Sequence, residues 1–168
     1  SLLSFEKGVR QRNRVLQRIR EGEASPNQLL FWNNLLIKNG EYLTRSREEF
    51  IDFINSTPSL NDGQLQIEYK KSIISPTRIE QYANEEVASG MTLVGPHRDD
   101  LTIRAQGTGD RVQEWRDLAI YGSRGEQRMG VLWIKLAELA FNEEKTSQKP
   151  VLLLDDIFSE LDHGHREI

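Results

Sequence analysis

Two short stretches carry residue types at spacings that can do chemistry. The first is "PVLLLDDIFSELD" (150–162), where four apolar residues, Val151 to Leu154, end in the adjacent carboxylates Asp155 and Asp156. Val-Leu-Leu-Leu has no period-2 alternation and reads as a strand covered on both faces, as in a parallel sheet. Ligands of open α/β sheets bind beyond the carboxyl ends of such strands. Two neighbouring carboxylates repel each other there unless a cation, usually a metal ion, sits beside them. The second stretch is "YGSRGEQRMGVLWIKLAELAF" (121–141), a serine and two glycines ahead of a long helical pattern. Ser123 suits a helix N-cap, and Glu126, three residues later, completes the capping-box spacing. One reading of this is a well-capped helix and nothing more. The other is chemical: a helix start offers unpaired N–H groups and a positive dipole end, and Gly125 lets a phosphate approach the backbone. Neither motif decides alone, but their order and spacing point to nucleotide chemistry.

Two further groups stand out. "GPHRDD" (95–100) gathers His97, Arg98, Asp99 and Asp100 behind Pro96. It reads first as a self-satisfied turn joining two strands, and second as a contact loop for nucleotide, DNA or a partner through His97 and Arg98. The other group is basic. From Glu6 to Arg20 six basic residues stand against one acidic, whereas from Glu138 to Glu167 eight acidic residues stand against three basic. Arg10, Arg14 and Arg18 share a stripe at i, i+4, i+8. Such a stripe grips DNA phosphate without reading sequence. A solvated helix paired with neighbouring acidic residues is the competing reading.

The elements that must position these groups follow from periodicity. Residues 1–20 are helical in pattern, with Phe5, Val9, Leu16 and Ile19 near helical spacing. After a break at 22–26, Ser25-Pro26 opens a second helix that Gly40 is expected to stop, and a third runs over about 42–55. "GQLQIEYK" (63–70) alternates as a half-exposed strand. A helix over about 75–88 follows, then short strands "MTLV" and "DDLTIRA" on either side of Gly95-Pro96. In the helix after Ser123 the expected buried face is Val131, Leu132, Ile134, Leu136, Leu139 and Ala140.

Composition narrows the class. The 168 residues are 37% hydrophobic and 29% charged with net charge −4, as in a soluble globular protein. There is no cysteine, which excludes a disulfide framework and a cysteine zinc site and makes an intracellular chain the expectation. No apolar run reaches membrane-spanning length. The pattern is unfinished at Ile168, which reads as a fragment boundary.

Together the motifs have a family likeness. "GSRGEQ" resembles the ABC signature, "VLLLDD" a Walker B strand, and "FSELD" the loop that crosses to the partner subunit. "TLVGPHRDDL" (92–101) and "KGVRQRNRVLQ" (7–17) narrow the resemblance to the RecF family within the ABC/SMC-type ATPases. The resemblance implies an α/β fold: the C-terminal lobe of an ABC/SMC-type P-loop ATPase head (90–168) beside a mainly helical arm subdomain (1–89) with one strand near 64–70. It implies ATP and Mg2+ as cofactors, with Asp155 holding the metal. Asp156 would be catalytic, standing where most relatives have glutamate, or else would support the magnesium from behind. Ser123, Arg124, Gly125 and Glu126 would meet ATP bound by the opposing subunit, with Arg124 neutralising phosphate or projecting into solvent. Ser159 and Asp162 would lie at the dimer seam.

The implied function is ATP-dependent dimerisation and DNA binding at gapped, duplex or junction DNA in bacterial recombinational repair. Slow hydrolysis would release the clamp, and a RecR-type mediator, but no membrane, would be the partner in the cytoplasm. The chain contains no GxxxxGK[ST] phosphate loop, so these residues alone are expected to be inactive as an ATPase. Two other classes remain. A metal-dependent nuclease could gather Asp155, Asp156, Glu160 and Asp162 around two metals. A non-catalytic SMC-like scaffold would use the same fold without turnover.

Overall fold

The computed structural model describes residues 1–60, 63–106 and 114–154. Helix α1 (Leu2–Arg20) starts at Ser1, whose Oγ accepts the Ser4 N–H. A 3-10 turn, Pro26–Leu29, leads into the long α2 (Leu30–Ser56). Strand β1 (Gln64–Lys70) precedes the short α3 (Pro76–Gln81) and α4 (Ala83–Ser89). After a 3-10 turn at Pro96–Arg98 come β2 (Asp100–Gln106), β3 (Trp115–Asp117), α5 (Leu118–Tyr121) and α6 (Arg124–Thr146). The fold mixes helix and sheet. Its strands lie in the order β1-β2-β3, with β2 and β3 antiparallel and Ala105 opposite Arg116.

The sequence expectations hold for α1, β1, β2 and α6 and differ at five places. Gly40 does not end a helix; α2 runs through it. A Cβ there would meet Ile74 Cγ2 at 2.5 Å and Pro96 Cδ at 3.3 Å, so this glycine marks close packing within an unbroken helix. The helix expected over 75–88 is two helices, because Tyr82 turns out of helical geometry at φ −100 and ψ 7. "MTLV" is not a strand. Its Met91 N–H donates to the Glu86 carbonyl, and side chains take the next two donors, Thr92 N–H to Asn13 Oδ1 and Leu93 N–H to Glu86 Oε1; beyond it, Gly95 N–H donates to Ser72 Oγ. "VLLL" is not a strand either, and Val151 and Leu153 are 82% and 89% exposed. The sheet of the described residues offers it no neighbour, and only Leu152 packs, against Met129 and Leu132. Lastly, α6 buries Met129, Leu132, Trp133 and Ala137, while Val131 and Leu136 are exposed. The buried set recurs at i, i+4, i+8 from Met129, one narrow stripe centred on the largest side chain.

By compactness the chain groups into two units that interleave along the sequence, Ser1–Glu48 with Lys70–Asp100 and Glu49–Tyr69 with Leu101–Ile168. In the first, Phe5, Leu36, Ile74, Ile79 and Val94 form the core. Side-chain anchoring ties the 92–95 segment to α1 and α4, which draws it into this unit. In the second, Ile51, Ile54, Ile67, Trp133 and Ala137 pack together, and Trp133 Nε1–H donates to the Thr57 carbonyl at 3.3 Å.

Candidate functional site

The start of α6 is held from three sides. Ser123 Oγ accepts the Glu126 N–H at 3.2 Å, and Glu126 Oε2 accepts the Ser123 N–H at 2.7 Å, so the capping box is complete. Glu126 Oε1 receives Arg116 Nη2 at 2.5 Å, and β3 supplies that arginine. The next residue along β3, Asp117, caps α5 by accepting the Ala119 N–H at 2.8 Å. Gln127 Nε2 then donates to the carbonyls of Leu118, Ala119 and Gly122, closing the C-terminal end of α5. Gly122 has no room for a side chain: a Cβ would lie 2.5 Å from the Leu118 carbonyl oxygen.

Gly125 is the opposite case. A Cβ there would have only Ser123 Oγ within reach, at 4.0 Å. Packing among the described residues does not require glycine at this position. With Ser123 and Arg124 exposed and the Glu126 N–H taken by Ser123 Oγ, the Arg124 and Gly125 N–H groups have no hydrogen-bond partner among the described residues. The turn is thus held by several hydrogen bonds, and a helix start of this kind can accept an anion. Sequence reasoning singled out Ser123, Arg124, Gly125 and Glu126 at this turn and did not single out Arg116 and Gln127, which brace it. Gln127 sits inside "GSRGEQ" and was legible as part of the motif. Arg116 is ten residues upstream and has no local signal.

On α1 the arginines separate by role. Arg10, Arg14 and Arg18 are exposed, as their stripe requires, and helical geometry places them opposite Phe5, Arg12 and Leu16, which are buried. Among the described residues Arg10 and Arg14 have no acidic partner, and Arg18 reaches only the Glu23 carbonyl at 3.4 Å. Arg12 is instead structural. Its Nε donates to Asn33 Oδ1 at 2.7 Å, Nη1 to Thr92 Oγ1 at 3.0 Å and Nη2 to Glu86 Oε2 at 2.6 Å.

The 95–100 turn is tied to neighbouring residues Arg47, Ser72 and Thr92. Gly95 adopts φ +122, a conformation that L side chains rarely take. Arg47 Nη1 donates to the Pro96 carbonyl and to Asp99 Oδ2, both at 2.6 Å, and Asp99 Oδ1 accepts the Ser72 N–H at 2.7 Å. His97 Nε2 and the Arg98 guanidinium both donate to the Thr92 carbonyl. His97 also lies 5.8 Å from the Phe5 ring, and its burial holds its pKa below the ordinary histidine value, against the raising effect of the Thr92 hydrogen bond.

Asp155, Asp156, Ser159 and Asp162 lie outside the described residues. Among the described residues no group of three acidic or histidine side chains could hold a metal, and no helix is long and apolar enough to cross a membrane.

No family model matches the chain. Curated relatives do. The DNA replication and repair protein RecF of Lachnoclostridium phytofermentans is 34% identical over 172 residues, covering 96% of this chain and 46% of its own length. RecF of Halothermothrix orenii is 35% identical over 178 residues, covering 93% of this chain and 45% of its own length. A solved structure described as the recombination mediator protein RecF-ATP in the RecFOR pathway superposes with a TM-score of 0.78 at 29% identity, over 97% of this chain and 46% of that one. The chain thus spans about half the length of the relatives it matches. Sequence and fold agree along nearly all of its residues: the chain belongs to the RecF family, with an ABC ATPase-type fold.

Proposed function

We propose that the chain is the signature-bearing portion of an ATP-dependent recombination mediator that acts on DNA in bacterial gap repair. The observation that carries this reading is Gly125, an unfilled position at a rigid, capped helix start. The backbone there and the Ser123 hydroxyl would meet the terminal phosphates of ATP held by a second copy. Arg124 is exposed beside them and would offset phosphate charge. Glu126 and Gln127 keep the turn in place before the nucleotide arrives, so little ordering accompanies binding. When bound, ATP supplies the energy difference between a closed and an open dimer.

Magnesium would be held by Asp155, and Asp156 would orient the attacking water; aspartate is one methylene shorter than glutamate, so turnover is slow. The Arg10, Arg14 and Arg18 face would lie along DNA phosphate. A RecR-type protein as partner, a cytoplasmic setting, and Ser159 and Asp162 at the dimer seam complete this reading. The 1–89 and 90–168 division, arm and head lobe, describes its functional halves.

The test is the solution mass of the full-length protein with ATP and magnesium, with and without DNA. Asp156→Asn is expected to trap an ATP-dependent dimer, and Ser123→Arg to abolish it. If ATP leaves the mass unchanged in wild type and both variants, the clamp reading is wrong. Magnesium-dependent nicking of DNA would favour the nuclease reading instead.

A further inference from the structure

A groove in the first unit takes no part in the roles assigned above. It measures about 440 Å3 and is formed by α1, the Pro26–Leu29 turn, the start of α2, and α3 with α4. Its wall is apolar: Leu16, Leu29, Ile79 and Val87. The Arg12–Glu86 pair lines it as well, but both groups are already engaged. Arg12 donates to three partners, and Glu86 accepts from Arg12 and from the Leu93 N–H. The groove therefore presents no unmet positive charge, and a phosphate or nucleotide would find no cation in it.

Its polar rim has a different character. Asn33 uses its Oδ1 on Arg12 and keeps its amide donor. Asn34 and Asn84 line the same opening and bond to no other side chain among the described residues. A carboxamide offers both a donor and an acceptor, which matches the alternating N–H and C=O of an extended backbone. Glu80, also on the lining, is exposed and has no cationic partner among the described residues. It repels a polyanion and attracts lysine or arginine.

We propose that this groove docks an extended segment of a partner protein in which apolar side chains alternate with lysine or arginine. Alternate side chains of such a segment point to opposite sides, so one set enters the apolar wall while the backbone meets the carboxamides. The basic side chains form the other set, on the solvent side, where the exposed Glu80 attracts them. Because Leu16 and the Arg10–Arg14–Arg18 stripe occupy opposite faces of α1, the two surfaces do not compete.

The experiment is fluorescence anisotropy on the full-length protein with two labelled peptides, one alternating leucine with lysine and the other carrying glutamate for lysine. The lysine peptide is expected to bind at least about tenfold more tightly, a difference of about 1.4 kcal/mol. Ala83→Trp, which adds bulk on the lining at an exposed position, should remove binding. Glu80→Lys should reverse the preference without lowering the melting temperature. Equal binding of both peptides, binding that survives Ala83→Trp, or no binding of either would overturn the proposal. So would displacement of the lysine peptide by a second copy of the protein, seen as a dimer that Ala83→Trp dissociates.

Discussion

Arg12 Nη2 and Glu86 Oε2 lie 2.6 Å apart with both side chains 1% exposed, an ion pair taken out of water between α1 and α4. Every charged end of it also has a neutral partner, in Asn33, Thr92 and the Leu93 N–H. Removing one member of such a pair leaves the other buried and unmatched, which costs about 3–5 kcal/mol. Arg12→Met is therefore expected to lower stability by that amount in urea titration. Arg12→Met with Glu86→Leu should cost less than the two single changes added together, because neither variant charge is then stranded. A loss below about 1 kcal/mol for Arg12→Met would show that the pair contributes little.

Two glycines on helices should answer alanine in opposite ways. Gly40→Ala places a methyl 2.5 Å from Ile74 Cγ2 in a packed core, so about 1–3 kcal/mol of strain exceeds the roughly 1 kcal/mol gained in helix propensity. Gly125→Ala meets nothing closer than 4.0 Å and should raise helix stability by roughly 0.5–1 kcal/mol. In the full-length protein the same Gly125→Ala should weaken ATP-dependent association, since the methyl occupies the space a phosphate would use. Calorimetry and solution mass separate the two effects. A Gly125→Ala protein that still dimerises normally with ATP would remove the phosphate role from this turn.

His97 sets an expectation for acid. Burial lowers its folded pKa below the ordinary value of 6.5, so the unfolded chain binds the proton more readily. Its contribution to stability is complete above 6.5 and declines as pH falls through 6.5 toward the lower folded value. His97→Gln, which can still donate to the Thr92 carbonyl, should flatten that part of the stability–pH curve. Chemical denaturation between pH 7 and pH 5 measures it, and an unchanged slope in His97→Gln would assign the acid response to other groups.

What the sequence made legible follows from how local each feature is. The Ser123–Glu126 box is a contact over three residues, and the spacing alone announces it. The Arg10–Arg14–Arg18 stripe is likewise a property of one helix. Arg12, in the middle of that run, looks identical in sequence and is identified only by residues twenty-one to eighty positions away. Gly40 reads as a helix stop because a glycine's local effect is to weaken helices, whereas its use here is to admit Ile74 and Pro96. "MTLV" has the composition of a strand, but its donors are taken by Asn13 of α1 and Glu86 of α4. The apolar run before Asp155 has strand composition too, yet a strand exists only where a neighbouring strand pairs with it, and none does among the described residues.

The last expectation concerns DNA. Exposed arginines without acidic partners release condensed counterions when they contact phosphate, so binding weakens linearly in log affinity against log salt. Each phosphate contact contributes about 0.9 to that slope on duplex DNA. Arg10→Ala, Arg14→Ala and Arg18→Ala in the full-length protein should each reduce the slope by roughly that amount and weaken binding equally across sequences. The positions are exposed on the side of α1 away from Leu16, so folding should be unaffected. Titrations of the triple variant at several salt concentrations decide the matter. If its slope equals that of wild type, the phosphate contacts lie elsewhere, and the stripe is a solvated helix face. If the slope falls by two to three contacts while ATP-dependent dimerisation persists, α1 is the DNA-facing surface and acts separately from the nucleotide turn.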